Sequence, residues 1–311
     1  MMSSPLSDDH LDGLFDQIPL LAGRARTLEE LSGGLTNRNV KITTADAVYV
    51  ARCVDTERNL LGIDRDHEHA NSVAAHRAGV GAPVLDYRPD LGVLLLGYLE
   101  GKTLENHDFQ RDGVIAKAAA AVRALHRGPR FVNRFDMFER QPAYLATCRS
   151  RGFAIPADYL EHAEAFAAAQ RVLTATGDTE DALVPCNNDL LAGNFIEHGE
   201  QMYLIDYEYS GNNDPCFELG NIWSECELSL DQLDDLVTSY HGRHLRHKTA
   251  RAHLQGIVAK YGWTLWGCIQ NGSSALEFDF WSWAMERYEG AVAAFRHPGY
   301  PRLLDDVAAP D

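Results

Sequence analysis

Residues 186–215 read CNNDLLAGNFIEHGEQMYLIDYEYSGNNDP. Asp189 and Asn194 stand there in an Asp-x4-Asn spacing, in a loop that enters a short hairpin. Asp206 follows at the end of the apolar run 202–205, and Glu208 comes two residues later. Taken singly, Asp and Asn are common turn formers. Taken together they supply what phosphoryl transfer to a hydroxyl needs. One carboxylate, Asp189, accepts the proton of the attacking hydroxyl. A second carboxylate and an amide, Asp206 and Asn194, are hard oxygen ligands for Mg²⁺ on nucleotide phosphates, with Glu208 assisting. The hairpin between them folds these residues back toward one another.

The flanking sequence must supply the elements that hold this set. Segments 28–31, 40–43 and 47–54 read as strands, with a glycine-containing turn at 32–39 that is, read alone, an ordinary hairpin turn. A helix is expected over 64–78, stopped by Gly79, and two more strands over 83–87 and 92–98. Beyond residue 97 the pattern changes. Helices are expected over 113–126, 157–173, 230–240, 250–261 and 278–295, with two short strands at 194–197 and 202–205. The result is a β-rich small lobe followed by an α-rich large one.

Composition narrows the partners. The 311 residues carry 28 Lys and Arg against 45 Asp and Glu, a formal charge of −17. Fifteen of the acids fall in 172–242, which contains no Lys or Arg. Such a chain repels nucleic acid and anionic membranes and tolerates a cationic ligand. Most of a charge run of this kind is solvated surface. The opening residues lack a signal-peptide pattern, and the longest apolar run, near 91–99, is too short to span a bilayer. The six cysteines show no zinc-ligand spacing and the histidines are dispersed, which fits reduced thiols in a cytoplasmic protein.

Segment 205–225, IDYEYSGNNDPCFELGNIWSE, resembles the choline/ethanolamine kinase family, bacterial type, within the aminoglycoside-phosphotransferase and protein-kinase-like fold. The likeness runs over about 28–295. Asp189, Asn194 and Asp206 fit kinase-like phosphotransferases in general. Tyr209, Asn221 and Glu225, with Trp263 and Trp266 downstream, resemble the choline-kinase branch. The resemblance implies an α+β, protein-kinase-like two-lobe fold, with a small antiparallel sheet and one helix at 1–97, a hinge at 98–104 and a mainly helical lobe at 105–311. It implies ATP and Mg²⁺ as cofactors.

Position by position, the turn with Ser32, Gly33, Gly34, Thr36 and Asn37 resembles the phosphate-covering loop, where glycines let backbone N–H groups approach phosphates. Arg52 takes the place of the nucleotide-contacting lysine of protein kinases, with Glu68 as its ion-pair partner. Residues 96–100, including Gly97 and Leu99, resemble the hinge whose backbone binds adenine. Tyr209, Glu225, Trp263 and Trp266 match the residues that hold a quaternary ammonium, a cation with no N–H to donate and so recognised by aromatic faces and a carboxylate. On spacing alone, Trp263 and Trp266 fit core packing equally well, as do Trp281, Trp283 and Tyr288. Asn187 replaces the family's usual histidine, which braces the metal loop. Leu191 stands where eukaryotic choline kinases carry Gln. The expected reaction is ATP-dependent phosphorylation of a small cationic alcohol, choline foremost. Ethanolamine, thiamine, an aminoglycoside or a sugar are rival acceptors, and a nucleotide-binding pseudokinase is the rival from another class.

Overall fold

The computed structural model describes residues 8–31, 34, 36–54, 60–177 and 182–309. Ser32 and Gly33 of the expected phosphate loop lie outside them. Packing divides the chain into two units, Met1–Asn59 with Ala82–Glu100, and Leu60–Gly81 with Gly101–Asp311.

In the first unit, alternation builds the sheet. α1 (Asp8–Phe15) precedes β1 (Arg26–Leu31), β2 (Arg38–Thr44) and β3 (Val48–Cys53), and β4 (Val84–Arg88) and β5 (Val93–Gly97) complete it. The strand order is β1-β2-β3-β5-β4, with every pairing antiparallel. Val40, Ile42, Tyr49 and Ala51 recur at period two and are buried. They form one core with Leu11, Phe15, Ile18 and Leu21 from α1 and the turns after it.

The second unit holds α2 (Arg65–Arg77), β6 (Lys102–Thr103), α3 (Val114–His126), α4 (Met137–Arg151), α5 (Ala163–Ala175), β7 (Val184–Cys186), β8 (Phe195–His198), β9 (Gln201–Leu204), β10 (Gly211–Asn213), α6 (Pro215–Glu225), α7 (Leu230–His241), α8 (Arg246–Ser273), α9 (Phe280–Arg296) and α10 (Tyr300–Ala308). β6-β8-β9 form a three-stranded antiparallel sheet, and β10 pairs with β7. Asp64 caps α2 by accepting from the Asp66 and His67 amides, and Asp214 caps α6 ahead of Pro215. The fold is α+β, with a helical majority among the described residues.

The structure departs from the sequence reading in three places. α2, expected within the small lobe, packs with the second unit, because Ala74 and Ala75 are buried with Val80, Leu104 and Val114. α8 runs for 28 residues where 250–261 was expected. α4, with Pro142 inside it, and α10 were not foreseen.

Candidate active site

The second unit builds its chemistry on the loop that leaves β7. Asn187, Asn188 and Asp189 follow directly, and Asn188 has a left-handed backbone, φ 68°. That turn is clamped from beneath. Glu218 of α6 is fully buried and accepts from the Asn187 amide (2.8 Å) and the Asn188 amide (2.7 Å). Asn188 Nδ2 donates to the carbonyls of Cys186, Tyr209 and Gly211, and its Oδ1 accepts from Asn213. A buried carboxylate bound by two amides is a charge-assisted clamp, so the loop's backbone is set before any ligand arrives. His126 Nε2 lies 3.4 Å from Cys186 Sγ and 3.9 Å from Glu218 Oε1, a buried grouping that sequence spacing does not reveal. The Glu218 oxygens are engaged by the loop amides, and His126 Nδ1 lies 2.8 Å from the Tyr240 hydroxyl, so this trio reads as the loop's support.

Asn187 ties this loop to the second carboxylate. Its Nδ2 donates to the carbonyls of Ile205 (3.0 Å) and Asp206 (2.8 Å), and its Oδ1 accepts from the Asp189 amide (3.1 Å). The bracing that the resemblance assigns to a histidine is done here by an amide. Asp206 has φ 64°, a conformation costing a non-glycine residue on the order of 1 kcal/mol, of the kind found where structure is fixed for function. Asn194 Nδ2 donates to the Asp189 carbonyl at 2.7 Å, which leaves Oδ1 as the atom of that side chain able to ligate a cation. Its own carbonyl accepts from Ile205, closing the hairpin.

Asp189, Asp206, Glu208 and Glu225 interact electrostatically. Burial first, then the Asp206, Glu208 and Glu225 charges, push the Asp189 carboxyl well above the usual carboxylate range, and Arg287 pulls it the other way. Carboxylates with an amide oxygen among them are a hard-oxygen donor set, which fits a divalent cation. Glu208 is buried and also accepts from Arg65 (3.3 Å), whose guanidinium pairs with Glu68 at 2.6 Å. The contact with Glu208 ties α2 to the segment after Asp206.

The aromatic set lies where α6 meets α8. The two helices touch at backbone level: a Cβ on Gly220 would run into the Ala252 carbonyl, and one on Gly256 would lie 2.6 Å from the Gly220 oxygen. This close approach lets Trp263 Nε1 donate to Asn221 Oδ1 (3.2 Å), and Trp266 Nε1 donates to the Tyr209 hydroxyl (2.7 Å). Tyr209 and Trp263 meet edge to face at 5.1 Å. Glu225 is paired with Arg287 of α9 at 2.5 Å. Trp283 lies 4.9 Å from Trp266, whereas Tyr288 donates to Asp158 and stacks on Tyr159 away from this set. Glu218, Arg287 and Arg140, whose guanidinium lies 5.7 Å from the Tyr209 ring, carry no local sequence signal that marks them.

The remaining expected residues lie in the first unit. Gly34 has no room for a side chain, since a Cβ would approach the Asn37 oxygen to 2.5 Å. Asn37 Nδ2 donates to Thr36 Oγ1. Arg52 is buried on β3, opposite Asn39 and Leu94. Gly97 ends β5, with its amide donated to Pro83, and the Tyr98 amide to Val48, just before Leu99. Glu68, expected beside Arg52, is on α2 in the second unit.

A carboxylate on a clamped loop, tied through Asn187 to a second one, fits a phosphotransferase with an alcohol acceptor, a small-molecule kinase. Comparison with known proteins agrees. The profile of the phosphotransferase enzyme family matches residues 27–254. A crystal structure of a choline/ethanolamine kinase family protein from Mesorhizobium loti superposes with a TM-score of 0.83 at 31% identity, covering 96% of this chain and 98% of that one. Protein LicA of Haemophilus influenzae is 28% identical over 83% of this chain and 77% of its own. Mouse ethanolamine kinase 1 is 25% identical over 85% and 83%. The chain belongs to the phosphotransferase enzyme family and, within it, to the choline/ethanolamine kinases. Its fold is accordingly protein-kinase-like. Among the described residues no helix is long and apolar enough to cross a membrane.

Proposed function

We propose that this enzyme transfers the γ-phosphoryl group of ATP, with Mg²⁺, to the hydroxyl of a small amino alcohol in the cytoplasm, where its six buried thiols stay reduced. Choline is the acceptor that the Tyr209, Trp263 and Trp266 set favours, with ethanolamine the nearest rival. The observation carrying the reading is the Asn187 side chain, which bonds both the Asp189 amide and the Asp206 carbonyl and so brings these two residues together. In this reading Asp189 orients the acceptor hydroxyl and takes its proton as the oxygen attacks the γ-phosphorus and the bond to ADP breaks. Asn194 Oδ1 and the Asp206 carboxylate would hold the divalent cation, with Glu208 beside them, and the cation would offset phosphate charge. Gly34, Thr36, Asn37 and Arg52, with Ser32 and Gly33, would serve the phosphates, and Gly97 and Leu99 would border adenine.

ADP release with Mg·ATP over choline, ethanolamine, thiamine and kanamycin tests the reading. Turnover of an amino alcohol supports it, and turnover of kanamycin or thiamine alone sinks it. Asp189→Ala is expected to lower kcat by about 10²–10⁴-fold, the usual contribution of a positioned base. Asp206→Ala should also weaken Mg·ATP binding. Undiminished activity in either variant contradicts the assigned roles.

A further inference from the structure

We propose that Arg287 is a specificity-determining residue of the acceptor site, one that handicaps a quaternary ammonium relative to a primary one. The inference rests on the amino-alcohol kinase reading and adds the basis on which the site tells two amino alcohols apart.

The carboxylate expected to face the substrate's positive charge already has a cation. Arg287 Nη2 meets Glu225 Oε2 at 2.5 Å, while Ser224 Oγ donates to Oε1 at 3.2 Å. The guanidinium also lies over an aromatic ring, 3.5 Å from the centre of Trp283, which itself packs on Trp266 at 4.9 Å. A second guanidinium, that of Arg140, lies 5.7 Å from the Tyr209 ring and 5.0 Å from Phe135. Both kinds of partner a quaternary ammonium relies on, an aromatic face and a carboxylate, therefore carry resident arginines.

The two acceptor classes meet these arginines differently. A carboxylate offers about four lone-pair sites. With Arg287 and Ser224 in place, a primary ammonium can still donate N–H bonds to the remainder. A quaternary ammonium has no N–H and gains from Glu225 only by close approach of charge. It must compete with a guanidinium that holds the carboxylate by a short, directional, charge-assisted bond. Moving Arg287 aside would leave a largely buried cation without its partner, which is costly. If Arg287 holds Glu225 nine-tenths of the time, the apparent affinity for the quaternary ligand is about tenfold weaker than the competent site's own.

The test is calorimetric binding of choline and of ethanolamine to the full chain, beside kcat/KM for each from ADP release. In Arg287→Gln the ratio of the choline Kd to the ethanolamine Kd is expected to fall about tenfold, the factor by which that tax is lifted. In Arg287→Lys, which keeps the charge but loses the planar fork and the stacking, the ratio should fall less. In a Glu225→Gln background the Arg287 substitution should no longer move it, a coupling that general loosening of the fold does not produce. Should Arg287→Gln fail to fold, Arg287→Lys decides by the same ratio. A ratio that is unchanged or rises overturns the proposal, as does an absence of binding of either amine to every protein. If the ratio shifts while no amino alcohol is phosphorylated, Arg287 keeps its role in binding and the kinase reading is what fails.

Discussion

Asn187 is the residue where a departure from the family pattern can be read as physics. Its side chain makes three hydrogen bonds, two to carbonyls on the Asp206 side and one from the Asp189 amide. One neutral side chain thus fixes the backbone at both residues whose carboxylates the proposed reaction uses. Asn187→Leu, close in shape but without donors, strands those groups in a buried place. An unsatisfied buried group costs about 1–3 kcal/mol, so a loss of stability in that range is expected in urea denaturation. The kcat should fall with it, while Asn187→His should recover activity that Asn187→Leu lacks; equal activity in the two variants would show that Asn187 only fills space. Asp189, Asn194 and Asp206 are legible in the sequence because their spacing around a hairpin is itself the signal. Glu218 and Arg287 are not. Glu218 looks like any helical glutamate until α6 is laid under the loop, and Arg287 acquires meaning only when α9 places it against Glu225.

At the scale of elements, β1 to β5, β8, β9, α2, α3 and α7 follow from periodicity and end signals, within a residue or two, whereas β6, β7 and β10 are too short to show a pattern. What escaped is instructive. Local signals end a helix near Gly262, yet α8 continues through it, because Met137 fills the space against that glycine and the buried face runs on through Trp263 and Trp266. α4 carries Pro142 in its interior, a residue that argues against a helix until the Asp136 cap and the buried Met137, Gln141, Tyr144 and Cys148 are weighed against it. The contact that matters most for the site, α6 on α8 at Gly220 and Gly256, is a property of two elements together and has no signature in either. Gly220→Ala puts a methyl group into the Ala252 carbonyl, so the helices must part. Overpacking of this kind typically costs about 1–3 kcal/mol, measurable as a lower urea midpoint. The same parting moves Asn221 and Glu225 relative to Trp263 and Trp266, so KM for the acceptor should rise more than KM for ATP. An equal rise in both would mean that the helix contact does not set the acceptor site.

For the molecule as a whole, the net charge of −17 first spoke only against nucleic acid and membranes, and the structure divides it into two populations. A few acids of the base-free stretch, Glu208, Glu218 and Glu225, are buried, and others, such as Glu200 and Asp231, are exposed. Two imidazoles of the second unit, however, are held in their neutral form and add to its acid sensitivity. His241 at the end of α7 and His253 in α8 both have their imidazoles lowered to about 4 from the ordinary 6.5, by burial first. The charges facing them act the same way, Lys248, His247 and Arg243 around His241, and Lys260 around His253, which also stands edge-on to Trp223 at 4.8 Å. The folded state therefore binds these protons less tightly than the unfolded chain does. Their neutral forms cost nothing above the unfolded value near 6.5, and stability is lost as pH falls from there toward 4. After allowance for the solvent that partly exposed rings retain, the loss is on the order of 1–2 kcal/mol per histidine. A plot of unfolding free energy against pH should slope downward on acidification across that window. Replacing both residues, as His241→Gln with His253→Gln, should flatten the slope even if it lowers the plateau at pH 7.5. A slope that survives the double replacement would place the acid-sensitive protons elsewhere in the chain.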